Sequence, residues 1–172
     1  MIKILQVRDV KLPVRANKSD SGIDFFVPKN LDKVKVTPSE IYPNEFSIPE
    51  IDKDSEKYLI VEPWKGILIP AWIKTIIKEW YDLVFENKSW VSTKYWLVIG
   101  AKVVDSSYRW EVHLHLINTS NKNVKIALGQ KIAQWILRKV ENADPELITD
   151  EEFEKQSNTA RGEWWFASSW ER

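Results

Sequence analysis

The sequence predicts an all-β domain, either a sandwich or a barrel. Short runs rich in valine, isoleucine and leucine recur along the chain, and turn-forming residues such as Asn118, Ser120 and Asn121 separate them. Strong helical periodicity is absent. Many short strands at this spacing are typical of β-sandwiches and β-barrels.

Six runs carry the strand pattern. In chain order they are residues 2–7, 67–77, 82–86, 97–104, 110–117 and 123–128. The fifth run alternates most clearly, because Val112, Leu114 and Leu116 fall on one face. The opposite face is polar and carries Glu111, His113 and His115. Two histidines on one strand face can bind a metal ion, but a pair that faces solvent or an interface is the more common explanation.

The remaining segments are less regular. Residues 28–58 hold four prolines among charged side chains and predict an extended loop region with short strands or turns inside it. Residues 146–155, which follow Pro145, are the best candidate for a short helix. We therefore expect one β domain over residues 1–140 and a C-terminal arm over residues 141–172.

The composition excludes several classes of function. The 172 residues carry 25 basic and 25 acidic side chains, whereas nucleic-acid-binding domains are usually strongly basic. The absence of cysteine excludes a disulfide framework, cysteine-ligated zinc and a thiol nucleophile. No apolar run reaches the ~18 residues that a membrane span requires, and no secretory signal is evident. We therefore expect a soluble, cytoplasmic protein without nucleic-acid or membrane partners.

Five short motifs in a fixed order carry the functional signal. They are DSGIDFF (20–26), NKSW (87–90), VVDSSYRWE (103–111), GQKIAQ (129–134) and RGEWWFASSW (161–170). Each motif alone is weak evidence, but five in this order are specific. The series resembles the trimeric dUTP pyrophosphatase (dUTPase) family, in the branch of bacteria and their viruses, over nearly the whole chain. The resemblance implies a jelly-roll-like fold.

The third motif carries the candidate chemistry. Asp105 lies where a valine-rich run meets a turn, and a carboxylate there can orient and deprotonate a water molecule. A turn-forming aspartate is the common alternative. Tyr108 offers a flat apolar face with a polar tip, although it could be an ordinary core aromatic. The resemblance implies that Asp105 activates the water that attacks the α-phosphorus, and that Tyr108 packs on the deoxyribose and excludes a 2′-hydroxyl.

The resemblance also implies where the base binds. The backbone of the hairpin is expected to read the uracil edge at these positions: Gly100, Ala101, Val103, Val104 and His113. The second acidic residue that the family has in this motif is Ser107 here.

Motifs two and four are expected to bind phosphate. Lys88 and Ser89 place a cation and a hydroxyl beside a turn, which suits a phosphate oxygen, although a solvated surface turn explains the pair equally simply. The family usually has arginine at the position of Lys88, and lysine lacks the bidentate fork. The resemblance adds Trp90 and Gln134 to the phosphate contacts. It makes Asp24 a mainly structural residue near the metal-bound waters.

The C-terminal motif supplies the remaining expected contacts. An arginine can bind a terminal phosphate and a phenylalanine can stack on a base. By resemblance this arm closes over a site, often that of a neighbouring subunit. It contributes phosphate contacts from Arg161, Ser168 and Ser169 and nucleoside contacts from Phe166 and Ala167.

These resemblances together imply a homotrimer that hydrolyses dUTP to dUMP and pyrophosphate at three sites between subunits. The expected metal is Mg²⁺, held through substrate phosphates and water without a direct protein ligand. The alternative is an inactive dUTPase-like protein that binds a nucleotide or a protein partner. A dCTP deaminase of the same superfamily fits less well, because its signature residues are absent while VVDSSYR matches the dUTPase hairpin.

Tryptophan is unusually abundant and glycine is scarce. The chain has ten Trp and five Gly, where about 12 Gly are usual at this length. Eight of the ten stand where the family pattern has, or this branch commonly has, glycine: Trp72, Trp80, Trp90, Trp96, Trp110, Trp164, Trp165 and Trp170. The other two, Trp64 and Trp135, are less decisive.

A translation artefact would explain these positions. Some lineages read the UGA codon as glycine, and translation with a UGA-as-tryptophan table would write Trp at such codons. Deliberate mutagenesis and a tryptophan-rich binding variant are the alternatives. The physical contrast is large, because glycine adopts positive φ freely whereas a bulky residue does so only under strain.

Overall fold

The computed structural model describes residues 2–29, 31, 50–51, 58–141 and 143–156. The chain divides into two units, Met1–Glu141 and Asn142–Arg172. Within the described ranges, neither helix has the length and apolar character that a bilayer crossing demands.

The first unit is built from short strands and one helix. Its described strands are β1 (Ile2–Gln6), β2 (Ile23–Phe26), β3 (Glu50–Ile51), β4 (Tyr58–Val61), β5 (Gly66–Pro70), β6 (Ile73–Ile77), β7 (Tyr81–Asn87), β8 (Leu97–Ile99), β9 (Val103–Val104), β10 (His113–Asn118), β11 (Val124–Ala127) and β12 (Lys131–Lys139). Helix α1 (Ser89–Tyr95) lies between β7 and β8.

The strands pair antiparallel in four open sheets. The largest has the order β2-β12-β7-β9, two three-stranded sheets have the orders β5-β10-β8 and β11-β4-β3, and β1 pairs with β6. The predicted all-β class is confirmed. In the part of the chain that the structure describes, the sheets form a sandwich-like arrangement and not a closed barrel.

One hydrophobic core joins side chains from all four sheets. Phe25, Leu59, Ile67 and Ile73 each come from a different sheet and are buried in it. The alternation predicted for run 110–117 is confirmed, because its three apolar side chains are buried while His113 is exposed. Burial of the apolar face therefore fixes the register of β10.

Two predicted runs are broken in the structure. Run 67–77 is interrupted at Ala71 and Trp72, where φ of Trp72 is 57°, so it forms β5 and β6 instead of one strand. Run 97–104 is interrupted after Ile99 and forms β8 and β9. At Trp72 the left-handed backbone cannot continue a strand. After Ile99 the chain leaves the sheet of β10 and joins that of β7.

The loop region predicted at 28–58 is described only in part. It contains β3, which agrees with the expectation of a short strand there, and the beginning of β4 at Tyr58. Residues 32–49 and 52–57 lie outside the described residues.

The second unit contains the predicted C-terminal helix, shifted along the chain. Helix α2 (Asp150–Gln156) begins four residues later than the predicted start at 146. Thr149 forms a capping box with Glu152: the Thr149 backbone N–H and hydroxyl donate to the Glu152 carboxylate at 2.8 and 2.9 Å. This cap sets the start of the helix, so Pro145 lies before it.

Four tryptophans have a left-handed backbone. Their φ angles are 58° at Trp64, 57° at Trp72, 67° at Trp80 and 57° at Trp96. Among the described residues the one glycine with positive φ is Gly129, at 80°. Positive φ in a bulky residue is a rare outlier, so four cases in one chain are a specific observation.

Three of these positions match places where glycine is the usual residue. Trp96 ends α1 in the left-handed region, and its N–H donates to the Ser92 carbonyl at 3.0 Å. Trp64 follows Pro63 in a turn closed by the Lys65 N–H, as in a type II turn that needs positive φ at its third residue. Trp80 occupies the same place in the turn closed by the Tyr81 N–H.

The glycine-like geometry does not extend to every expected position. Trp90 lies inside α1 and Trp110 is 69% exposed, and neither has positive φ. Trp64, undecided from sequence, belongs with the left-handed group. Trp135 packs in the core, with its ring 5.6 Å from Phe25. The positions 164, 165 and 170 lie outside the described residues.

Candidate active site

Three of the five sequence motifs meet at Asp24 on the four-stranded sheet, and motif three contributes the edge strand β9 to the same sheet. The central strand β12 pairs with β2 on one side and with β7 on the other, so Gln134 lies opposite both Asp24 and Glu86. Lys88 directly follows β7. Residues from motifs one, two and four are thereby brought together although they are far apart in sequence.

Asp24 is the centre of this cluster. It is only 4% exposed, Lys88 donates to its Oδ1, and the Lys131 Nζ lies 3.0 Å from its Oδ2. Burial alone would raise the pKa of Asp24, but the hydrogen bonds and charges of Lys88 and Lys131 outweigh it and lower the pKa. The carboxylate is therefore ionised at neutral pH and holds two cations beside it.

Gln134 is held by the residue that precedes Lys88. Its Nε2 donates to the Asn87 carbonyl at 3.0 Å. A Cβ on Gly22 would lie 2.1 Å from the Gln134 Oε1, so a side chain at 22 would displace the amide of Gln134. The sequence indicated Lys88 and Gln134, but it gave no signal for Lys131 or for this role of Gly22.

Motif two forms the start of helix α1. Lys88 is the N-cap residue and makes no side-chain cap hydrogen bond. Ser89 and Trp90 are the first two residues of the helix, so their backbone N–H groups have no acceptor within it, whereas the Val91 N–H donates to the Lys88 carbonyl at 3.0 Å. The Trp90 ring packs edge-on to Tyr95, with centroids 5.8 Å apart. The predicted phosphate contacts of motif two therefore lie at a helix start.

Motif three continues from β9, whose Val104 pairs with Leu83 of β7. Asp105 follows the strand, is exposed, and its backbone carbonyl accepts the Tyr108 N–H at 3.1 Å. Its carboxylate makes no hydrogen bond or ion pair to any residue that the structure describes. Asp105 therefore occupies the predicted strand-to-turn junction with its carboxylate available.

The ring of Tyr108 is held in place at both ends. It packs partly buried against the core, and its hydroxyl donates to the Glu111 carbonyl at 2.9 Å. Burial, with the charge of Glu111, raises the pKa of the phenol, so the hydroxyl stays protonated at neutral pH. The Trp110 ring lies edge-on with its centroid 5.5 Å away. The sequence missed the carboxylate of Glu111, which accepts the backbone N–H of Trp72 at 3.0 Å.

The residues predicted to read the base lie along β8, β9 and β10. Gly100 and Ala101 form the turn after β8, and Val103 and Val104 form β9. His113 begins β10, is exposed, and its Nδ1 lies 3.1 Å from the Glu111 carbonyl.

These features form two separate groups within one chain. One group surrounds Asp24, and the other is the motif-three hairpin with Asp105 and Tyr108. No hydrogen bond or ion pair between described residues joins Asp105 to the Asp24 cluster. The motif-five residues predicted to complete the site lie outside the described residues: Arg161, Phe166, Ala167, Ser168 and Ser169.

The described residues offer no ready metal cage. A search of them finds no group of three or more histidine, cysteine or acidic residues that could hold an ion. Asp24 is committed to two lysines.

Comparison with known proteins points to one family. The dUTPase family model matches residues 52–170. The deoxyuridine 5′-triphosphate nucleotidohydrolase of Candida albicans is 40% identical over 82 residues, covering 48% of this chain and 50% of that protein. Across the first three such relatives, the match spans between 49% and 64% of their length.

Solved structures share the fold along almost the whole chain. A mutant dUTPase of Staphylococcus bacteriophage 80alpha with dUpNHpp has a TM-score of 0.67 and 22% identity and covers 98% of both chains. A mutant dUTPase from phage phi11 of S. aureus, described with a structural Mg(II) ion, has a TM-score of 0.63 and 17% identity over 89% of this chain and 99% of that one. With the family model matching more than half of its residues, this chain belongs to the dUTPase family.

Proposed function

We propose that this chain is a dUTP diphosphatase, which hydrolyses dUTP to dUMP and pyrophosphate. Membership of the dUTPase family supports the proposal, as do the names of its relatives. The observation that carries it is the exposed carboxylate of Asp105, which has no hydrogen-bond or ion-pair partner among the described residues. It lies three residues before Tyr108, whose hydroxyl is hydrogen-bonded to the Glu111 carbonyl.

In this proposal Asp105 is the general base. Its carboxylate accepts a proton from a water molecule, and the water oxygen attacks the α-phosphorus. The bond from the α-phosphorus to the bridging oxygen breaks, and pyrophosphate leaves roughly in line with the attack. A carboxylate without a partner among the described residues suits this step, because none of the hydrogen bonds they form has to be broken before it accepts the proton.

The Asp24 cluster binds the phosphates. A lysine ammonium has three N–H donors, and Asp24 uses one of those on Lys88, so two can face phosphate oxygens. Ser89, the backbone at Trp90 and the amide of Gln134 complete this side. The arm adds Arg161, Ser168 and Ser169.

The hairpin binds the nucleoside. Tyr108 packs on the deoxyribose, and its fixed ring leaves no room for a 2′-hydroxyl. The backbone at Gly100, Ala101, Val103 and Val104, with His113, reads the uracil edge. Phe166 and Ala167 of the arm cover the base.

Mg²⁺ fits this site as an ion carried on the substrate. Bound through the triphosphate and water, it would reduce the negative charge that the attacking oxygen meets. The commitment of Asp24 to Lys88 and Lys131 supports an indirect role for Asp24.

We further propose a cytoplasmic homotrimer with sites between subunits, each completed by residues 141–172 of a chain. The resemblance of the five motifs to the trimeric dUTPase family supports this assembly.

The second candidate is an inactive dUTPase-like protein that binds a nucleotide or a protein. Two exposed indoles favour it, because Trp90 and Trp110 stand beside the proposed phosphate and sugar contacts. A bulky side chain there would obstruct close approach of the backbone to the substrate.

Product analysis separates the two candidates. The full chain is incubated with dUTP, UTP, dCTP or dTTP and Mg²⁺ in ¹⁸O-labelled water, and pyrophosphate and labelled monophosphate are measured. We expect pyrophosphate from dUTP well above the other nucleotides, with the label in dUMP. Binding of dUTP without any pyrophosphate would support the inactive protein instead.

A further inference from the structure

The side chain of His115 sits in a slot between two glycines. A Cβ on Gly100 would lie 2.2 Å from the His115 Nδ1, and a Cβ on Gly66 would lie 2.8 Å from its Nε2. Neither glycine has positive φ. Glycine is therefore needed at 66 and 100 to admit the imidazole and not for its own backbone freedom.

The same histidine fastens the turn after β8. The Gly100 N–H donates to the His115 carbonyl at 3.0 Å, and the Ala101 N–H donates to the His115 Nδ1 at 3.2 Å. From the other side, the Ile99 N–H donates to the Asn87 Oδ1 at 2.9 Å. The Lys102 carbonyl accepts the N–H of Phe85 at 2.8 Å. Each residue from 99 to 102 thus has one of its backbone groups in one of these four bonds, and His115 supplies the partner in two of them.

This arrangement specifies one form of the ring. A nitrogen that accepts from the Ala101 N–H carries no proton, so His115 is neutral with its proton on Nε2. Partial burial lowers the pKa of His115, which favours the same neutral form. The neighbouring His113 differs, because it is exposed and contacts the Glu111 carbonyl instead of the turn.

We propose that His115 is a positioning residue, which holds the turn 99–102 in the shape that a nucleoside requires while not touching the nucleoside itself. The proposal rests on the proposed function, which assigns the backbone of Gly100 and Ala101 to the base. The expected effect is on KM and not on kcat, because the proposed base Asp105 follows β9 and is not part of the turn.

The test compares three variants of the full chain. His115→Leu removes the acceptor by replacing the imidazole with an apolar side chain of similar size. His115→Asn places an amide oxygen near the position of Nδ1. Ile117→Ala is the matched control, since Ile117 is partly buried on the same face of β10 and pairs with Gly66 and Val98. KM and kcat for dUTP are measured beside hydrogen exchange of the Ala101 amide, and ¹⁵N spectra of the parent locate the imidazole proton.

We expect His115→Leu to raise KM about tenfold with kcat within about threefold, because one backbone donor of the turn loses its partner. His115→Asn should recover most of this loss, and Ile117→Ala should leave KM unchanged. Ala101 exchange should accelerate in His115→Leu alone. If His115→Leu does not fold, His115→Gln replaces it in the test. The amide of glutamine lies one methylene farther from the backbone than that of asparagine, so it does not coincide with the position of Nδ1.

An unchanged KM with unchanged Ala101 exchange overturns the proposal, as does a parent imidazole protonated on Nδ1. A parent chain without dUTP turnover overturns the proposed function instead. In that case Ala101 exchange still decides whether His115 holds the turn: faster exchange in His115→Leu supports it, and unchanged exchange refutes it.

Discussion

Lys88 donates a hydrogen bond to the buried carboxylate of Asp24 across 64 positions of sequence. Lys131 contacts the other oxygen of the same carboxylate. One anion therefore holds two cations at the end of the four-stranded sheet, where motifs one, two and four meet. This arrangement explains how a lysine can be directed at a phosphate without the planar fork of arginine.

Asp24→Asn should destabilise the fold by roughly 1–3 kcal/mol at neutral pH, because two cations lose their anionic partner. The pKa of Asp24 is lowered in the folded chain, so its contribution is present above the ordinary pKa of about 3.9 and is lost as pH falls through the folded value. Urea unfolding midpoints of variant and parent should differ at pH 7 and converge in acid.

Glu86→Gln is the control for this prediction. Its carboxylate pairs with Lys102 in a half-exposed ion pair, which contributes only about 0–1 kcal/mol. The assigned role of the buried carboxylate is contradicted if Asp24→Asn lowers the free energy of unfolding no more than Glu86→Gln does. It is also contradicted if the difference between Asp24→Asn and the parent is the same in acid as at pH 7.

Asp105→Asn should nearly abolish turnover while leaving nucleotide binding intact, because an amide cannot accept the proton of the attacking water. Pyrophosphate release and calorimetric binding of a non-hydrolysable dUTP analogue measure the two effects. Asp144→Asn, an exposed change in the second unit, should leave both at the parent level. Retention of most activity by Asp105→Asn would remove Asp105 as the general base.

Tyr108→Ala should let UTP react more readily relative to dUTP, because the ring that excludes the 2′-hydroxyl is gone. Tyr108→Phe keeps the ring and loses only the hydrogen bond to the Glu111 carbonyl, so it should retain most of the discrimination. The readout is the ratio of kcat/KM for the two nucleotides. An unchanged ratio in Tyr108→Ala would take the selective role away from this ring.

The motif positions were largely predictable from sequence, whereas the contacts that tie them together were not. The sequence placed Asp105 where a strand ends and a turn begins, and the structure has it there. The roles of Asp105 and Tyr108 rest on the family resemblance and stay predictions. Lys131 and His115 act through partners that only strand pairing brings near, so no local pattern signals them. The scarcity of glycine is a partial exception. Because few glycines remain, each of them indicates a structural reason, such as the close approach of His115 to Gly66 and Gly100.

The fold shows the same division. The alternation of run 110–117 predicted β10, because one face is buried and the other is not. Strand β12 escaped prediction, since its first half is buried on both faces and shows little alternation. Helix α1 escaped as well, because its seven residues are too short to show a helical period.

Trp90 inside helix α1 and Trp96 at its C-cap give a matched pair for the hypothesis that the left-handed tryptophans are glycine positions. Trp96→Gly should stabilise the chain by up to about 1 kcal/mol, because relief of left-handed strain of about 1–2 kcal/mol exceeds the added unfolded-state entropy. Trp90→Gly should destabilise it by about 1 kcal/mol, since its φ is helical. Urea midpoints measure both changes.

Equal losses of stability in both variants would contradict the glycine hypothesis at position 96. The codons give an independent reading: UGA at the left-handed positions supports recoding, and UGG at Trp64, Trp80 and Trp96 refutes it.

The most direct measurement is pyrophosphate release from dUTP by two full chains at matched concentration. One has the printed sequence, and the other has glycine at 64, 72, 80, 90, 96, 110, 164, 165 and 170. We expect the glycine chain to have the higher kcat/KM for dUTP, because motifs two, three and five need close approach of the backbone to the substrate. Equal activity of the printed chain would establish these tryptophans as native features, and no release of pyrophosphate by either chain would contradict dUTP hydrolysis itself.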